Sequence, residues 1–306
     1  MKRSVAVLAG VAMTVLALAT PAAATWSSGA DPGAAGRAGA LTMPAGATPT
    51  ATVDGNDVTV AWAATTNPPA TGYTVRAFDA LSGVERPITA ACSGVVAALT
   101  CTEHGVPDGT WRYSVIPRLN SWVGFEGDRS AAATVDVAAP EPIALALTNV
   151  TGGTPGVIDP ELDQLSVRFS EALEVDSICS TWSDNAMNQT LTGDDVVVTI
   201  TDNAGDNTLN VTTTQCSLNF GAISLGTDYL TGPTATFSGT GTHSSTLRWN
   251  VATHTLTLEL GDLASGTLQS TPTAAATVTY TPANALVDLA NNHITTSGFT
   301  ATAQRF

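Results

Sequence analysis

The chain has 306 residues, of which 43% are hydrophobic, 12% charged and 6% aromatic, and its formal net charge is −15. That length fits two or three domains, and the aliphatic content argues against compositional disorder. The excess of 26 acidic over 11 basic residues argues against nucleic acid and anionic lipid as partners, since both require positive charge on the protein.

Residues 1–24 read as a secretory signal. Lys2-Arg3 is a basic n-region, Val5 to Ala19 is an apolar run, and Ala22-Ala23-Ala24 is a small-residue cleavage site. The run is shorter than the ~20 residues a membrane span needs. No later segment is apolar enough to span, so no membrane span is expected after cleavage. No Cys stands directly after the apolar run and no LPxTG-type sorting motif is present. Lipid or sortase anchoring is therefore not expected. Lys2 is the only lysine, so the mature chain supports neither Schiff-base chemistry nor Lys–Asn isopeptide bonds. Without Lys2 and Arg3, 9 basic and 26 acidic residues remain, a net charge of −17. Charge of that sign gives solubility.

Residues 25–48 are rich in Ala, Gly, Thr and Pro and are expected to form a flexible leader, in which Trp26 is out of place. From about Thr50 the hydrophobic period becomes two. Val58, Val60 and Trp62 share one face. Tyr73, Val75 and Ala77 alternate with Thr74, Arg76 and Phe78, and Trp111, Tyr113 and Val115 alternate with Arg112 and Ser114. Asp54-Gly55-Asn56, Asn67-Pro68-Pro69, Ser82-Gly83 and Pro107-Asp108-Gly109 are turns between them. These runs define a first sandwich over residues 49–138. Residues 139–142 form a linker stiffened by Pro140 and Pro142.

Residues 143–306 continue as strands: Leu165/Val167/Phe169, Val196/Val198/Ile200, Leu209/Val211, Leu256/Leu258/Leu260 and Val278/Tyr280. At this length the second domain is an enlarged sandwich. Glu171 to Cys179 is expected to form a short helical turn. The predicted fold class is all-β, two antiparallel β-sandwich domains in tandem. Strand edges rich in Thr and Val invite strand addition, and hence self-association.

Four cysteines in an exported chain favour disulfides, and four allow three pairings. Local pairing is expected, Cys92 with Cys101 and Cys179 with Cys216, because each pair lies in one candidate domain. No pair has CxxC spacing, so zinc–thiolate or thiol redox chemistry lacks support.

No catalytic residue stands out. His104, His243, His254 and His293 are scattered, and HExxH, GxSxG, GxGxxG and P-loop motifs are absent. Carboxylates cluster at Asp159/Glu161/Asp163, Asp194/Asp195 and Asp202/Asp206. They suit turns, where Asp bonds its own backbone, better than calcium, since none matches an EF-hand loop. No cofactor is expected and the metal question stays open. Trp62, Trp111 and Trp249 sit at apolar strand positions and are expected in the core. Trp182 is expected near the Cys179 disulfide. Trp122, in a loop with Phe125 three residues on, is the candidate ligand-contact pair.

The first domain resembles fibronectin type III modules. The carriers are Val58-Thr59-Val60-Ala61-Trp62, Gly72-Tyr73-Thr74-Val75-Arg76 and Gly109-Thr110-Trp111-Arg112-Tyr113-Ser114-Val115, with Tyr113 as the family's core tyrosine. The Cys92/Cys101 pair departs from that pattern. The second domain is similar to bacterial immunoglobulin-like modules of secreted surface proteins. It carries Phe169-Ser170-Glu171-Ala172-Leu173 at a strand end and Asp288-Leu289-Ala290-Asn291-Asn292 at a closing turn, with Asn291 in place of Gly. The resemblance implies a non-enzymatic, exported adhesion, scaffold or assembly module of the bacterial cell surface or medium. Its partner would be a protein or glycan at that surface. The alternatives are a carbohydrate- or wall-binding module and a calcium-stiffened stalk domain.

Overall fold

The computed structural model describes residues 42–149, 152–161, 163–238 and 242–306. The expected signal, residues 25–41 of the leader and Trp26 lie outside the described residues. The chain is all-β. Among the described residues eight strands come first: β1 (Thr50–Asp54), β2 (Asp57–Ala61), β3 (Gly72–Asp79), β4 (Glu85–Arg86), β5 (Thr100–Glu103), β6 (Gly109–Leu119), β7 (Trp122–Val123) and β8 (Ala133–Val135). They form a sheet of order β1-β2-β5 and a sheet of order β4-β3-β6-β7, with β8 paired to β6.

Twelve further strands follow: β9 (Pro142–Thr148), β10 (Gln164–Phe169), β11 (Gln189–Thr192), β12 (Val197–Asn203), β13 (Asp206–Thr212), β14 (Ala222–Ser224), β15 (Thr234–Ser238), β16 (Thr246–Asn250), β17 (Thr255–Glu259), β18 (Asp262–Ser265), β19 (Ala276–Thr281) and β20 (Phe299–Gln304). Their sheets have orders β11-β16-β17-β10-β9 and β18-β15-β12-β13-β14-β19-β20. The only α-helical element among the described residues is one turn, α1 (Val175–Ile178), inside the expected Glu171–Cys179 segment. By compactness the chain forms two units. Among the described residues, one comprises 42–51, 59–103 and 112–132, and the other 52–58, 104–111 and those from 133 onward. Of the expected linker, Pro140 O accepts from Thr295 N–H and Glu141 O accepts from Ser170 N–H, so these residues are tied to the second unit.

Alternation sets which face is buried. In β10 and β17, Leu165 faces Leu258 and Val167 faces Leu256, all buried, while Ser166 and Thr257 point outward. In β12 and β13, Ile200 faces Leu209 inside and Thr199 faces Asn210 outside. The second unit's core also holds Phe169, Trp249 and Tyr280, with ring centroids 6.0 and 6.2 Å from Phe169. Two of the expected faces are corrected. Phe78, on the outward face of β3, is buried because the Arg129 and Arg76 guanidiniums lie over its ring at 3.6 and 5.1 Å. Trp111, expected in the core, is only half buried, and its indole N–H donates to Pro107 O at 2.9 Å.

Tyr113 is fully buried, as its core position requires. Its hydroxyl donates to the buried Glu103 carboxylate at 3.0 Å. Arg86 pairs with the same carboxylate through two bonds of 2.7 Å, and Thr89 N–H adds a third donor at 3.0 Å. Burial, and then the Glu103 charge, push the Tyr113 hydroxyl well above its ordinary value. Both disulfides join the locally paired cysteines, Cys92–Cys101 and Cys179–Cys216.

Candidate functional site

Asn120 adopts φ 54°, which Asn tolerates better than most residues, and closes a two-residue turn between Leu119 and Trp122. Trp122 therefore lies on the edge strand β7 rather than in an open loop, paired with Leu119, while Val123 pairs with Arg118. The segment beyond β7 is held by part of the expected leader. Gly46 N–H donates to Phe125 O at 3.1 Å and Phe125 N–H donates to Pro44 O at 3.3 Å. Met43 is buried, and Pro44, Gly46 and Ala47 are half buried. The result is a fixed apolar edge: Trp122 is 45%, Val123 52% and Phe125 70% exposed. An exposed aromatic edge of this kind marks a contact surface more readily than scattered single apolar residues do.

The remaining tryptophans sort as expected apart from Trp111. Trp62 and Trp249 are buried, and Trp182 is buried with its backbone N–H donating to Cys179 O at 2.9 Å. Asp163 and Asp202, from the expected carboxylate clusters, bond nearby backbone, and Asp206 reaches across to the segment after β14. Asp159 N–H donates to Asp163 Oδ2 at 2.8 Å. Asp202 Oδ1 accepts from Gly205 N–H at 3.1 Å in the β12–β13 hairpin, and Asp206 Oδ1 accepts from Gly226 N–H at 2.8 Å.

A different acidic group forms from residues that no local cluster announces. The two motifs that bracket the second domain meet: Leu173 bridges Asp288, and Glu174 N–H donates to Val287 O at 2.9 Å. Asn291, at φ 66°, makes the closing turn in place of Gly. Asp288 is buried and accepts from Ala290 N–H, Asn292 N–H and Asn292 Nδ2, each at 2.8 Å. Carboxylate oxygens of Asp136, Glu171 and Asp288 lie within 4.8 Å of one another. Burial first, then the charges of Asp136, Asp288 and Asp108, push the Glu171 carboxyl up to about 7. Motif reading had singled out Glu171 and Asp288 separately. Their convergence was the missing signal.

No family model matches the chain, and no curated protein matches it. Among solved structures, titin kinase with its flanking domains is 9% identical, covering 42% of this chain and 27% of that one, at TM-score 0.29. The chicken interferon gamma receptor alpha chain is 11% identical, covering 76% and 100%, at TM-score 0.24. The FN1-FN3 domains of chicken CNTN1 are 10% identical, covering 85% and 86%, at TM-score 0.26. The chain thus spans about a quarter of the titin structure. At these scores the likenesses carry no argument about partner or activity.

Proposed function

We propose that this protein is an exported, non-enzymatic scaffold or adhesion module of the bacterial cell surface, and that its contact edge is Trp122-Val123-Phe125. The observation that carries the reading is the fixed, exposed apolar edge of β7. Two disulfides, and the absence among the described residues of a helix long and apolar enough to cross a membrane, are compatible with an extracellular protein. Flat apolar side chains on a rigid strand lose little conformational freedom on contact, which favours adhesion.

The test is fractionation of the native protein from its own cells, alongside the Trp122→Ser/Phe125→Ser double variant. The wild type is expected in the surface fraction, and the variant in the medium with an unchanged melting temperature. Equal release of both would remove this edge from the reading. Retention on purified glycan, lost in Trp122→Ala, would instead favour the carbohydrate-binding alternative.

A calcium-stabilised module is the second reading, favoured by the Asp136/Glu171/Asp288 group, since calcium takes oxygen ligands. The Glu171 acid, lifted to about 7, holds its proton in the folded state where the unfolded chain has lost it. Stability therefore falls as pH rises from about 4.5 to about 7 and is flat above. Partial exposure screens the effect to roughly 1 kcal/mol, or about 2–4 °C in melting temperature. Glu171→Gln should flatten that pH dependence. Millimolar calcium should raise the melting temperature at pH 8 in the wild type and not in Glu171→Gln. A flat calcium titration at pH 8 removes the reading.

A further inference from the structure

Glu161, His243 and Asp262 are distant in sequence and meet where β17 passes into β18. Glu161 N–H donates to Gly261 O at 3.2 Å. His243 N–H donates to Asp262 Oδ2 at 3.1 Å, and Asp262 N–H donates to His243 O at 2.9 Å. Gly261 makes the approach feasible, because a Cβ there would run into Ser245 N and His243 O. Each of the three residues is thus anchored through its backbone, leaving its side chain to converge on the others.

One ligand-type atom from each residue lies within 4.8 Å of the other two. His243 Nδ1 is 3.1 Å from Glu161 Oε2 and 3.8 Å from Asp262 Oδ1. A tetrahedral zinc ion with nitrogen and oxygen ligands at about 2.0–2.2 Å sets its ligands about 3.3–3.6 Å apart. The two separations bracket that value. The His243 and Glu161 side chains are 53% and 43% exposed, so an ion has a route in and a fourth position faces solvent.

We propose that Glu161, His243 and Asp262 form a zinc-binding site with one open coordination position. The imidazole separates this site from the all-carboxylate group of Asp136, Glu171 and Asp288. Nitrogen ligation suits zinc and related transition metals, whereas calcium takes oxygen donors. The bound ion would clip together the segments bearing Glu161, His243 and Asp262. This inference does not depend on the adhesion reading, because the purified protein suffices to test it.

The experiment is calorimetric titration of chelator-treated mature protein with zinc chloride, alone and in the presence of calcium chloride. One equivalent of zinc is expected to bind, with no competition from an equal concentration of calcium. His243→Ala and Glu161→Gln should each weaken binding at least tenfold, with unchanged circular dichroism. His104→Ala, which alters the exposed His104–Asp57 pair, should leave it unchanged. Anomalous diffraction at the zinc edge should place the ion between the three side chains. Absence of stoichiometric binding, wild-type affinity in both site variants, or loss in His104→Ala instead would overturn the proposal. If His243→Ala does not fold, Glu161→Gln and the anomalous map decide it.

Discussion

Replacing Glu103 with alanine lowers stability by about 3–5 kcal/mol, the cost of breaking a buried ion pair from one side. The side chain of Glu103 is 0% exposed and that of Arg86 only 15%. Two Arg86 N–H groups, the Tyr113 hydroxyl and Thr89 N–H all end on this one carboxylate. Alanine leaves the Arg86 charge without its carboxylate in a place water barely reaches, and it strips the Thr89 N–H and Tyr113 hydroxyl of an acceptor. Glu103→Gln keeps the shape and loses the charge, so it should cost less, on the order of 1–3 kcal/mol. Replacing both partners, Glu103→Leu with Arg86→Met, should recover much of the loss, because the desolvation penalty of the ions disappears with them. The measurement is the urea midpoint at unchanged slope. A Glu103→Ala loss below about 1 kcal/mol would mean that the group is far better hydrated than its burial implies.

Removal of the Cys179–Cys216 bridge as a double Cys→Ala variant should cost about 4 kcal/mol, and removal of Cys92–Cys101 about 2.5 kcal/mol, by the loop-closure relation. The separations are 37 and 9 residues, so the longer loop regains more freedom when opened. Local pairing limits the loss at the first site. Cys179 bridges Leu218, Ser180 N–H donates to Ser217 O at 3.2 Å, and Asn219 N–H donates to Ile178 O at 2.8 Å. These bonds hold the native alignment without the sulfurs, so the variant should fold to the same structure with a lower midpoint. Denaturant titration of the two single-bridge variants checks the ranking. A larger loss on opening Cys92–Cys101 would show that strain or residual unfolded structure, rather than loop length, governs these bridges.

The sequence by itself determined the strands. Alternation at Leu165/Val167/Phe169 and Leu256/Leu258/Leu260 encodes a face directly, because successive side chains in a strand point to opposite sides. It also favoured local pairing of the cysteines among three possibilities and the turn chemistry of Asp202, while the family resemblance pointed to the Asn291 turn and to Tyr113 as a core residue. These are properties of a few neighbouring residues. Phe78 and Trp111 escaped the same rule because their burial depends on partners that alternation does not contain. Arg129 lies over Phe78 from 51 positions further along the chain, and Pro107 offers Trp111 a polar anchor near the surface.

Only the tertiary structure decided which candidate residues meet. Trp122 was legible as an unusual aromatic, but its place on an edge strand depends on the Asn120 turn and on Pro44 to Gly46 packing beside Phe125. Glu171 and Asp288 are 117 positions apart, and Glu161 and Asp262 are 101 apart. Strand register and chain crossings bring such pairs together, and a register is fixed by the whole sheet. Glu161 beside Asp159 and Asp163 therefore looks like part of a turn in the sequence, and His243 like a scattered histidine. They become a charged cluster or a ligand set only once the sheets have set their distances.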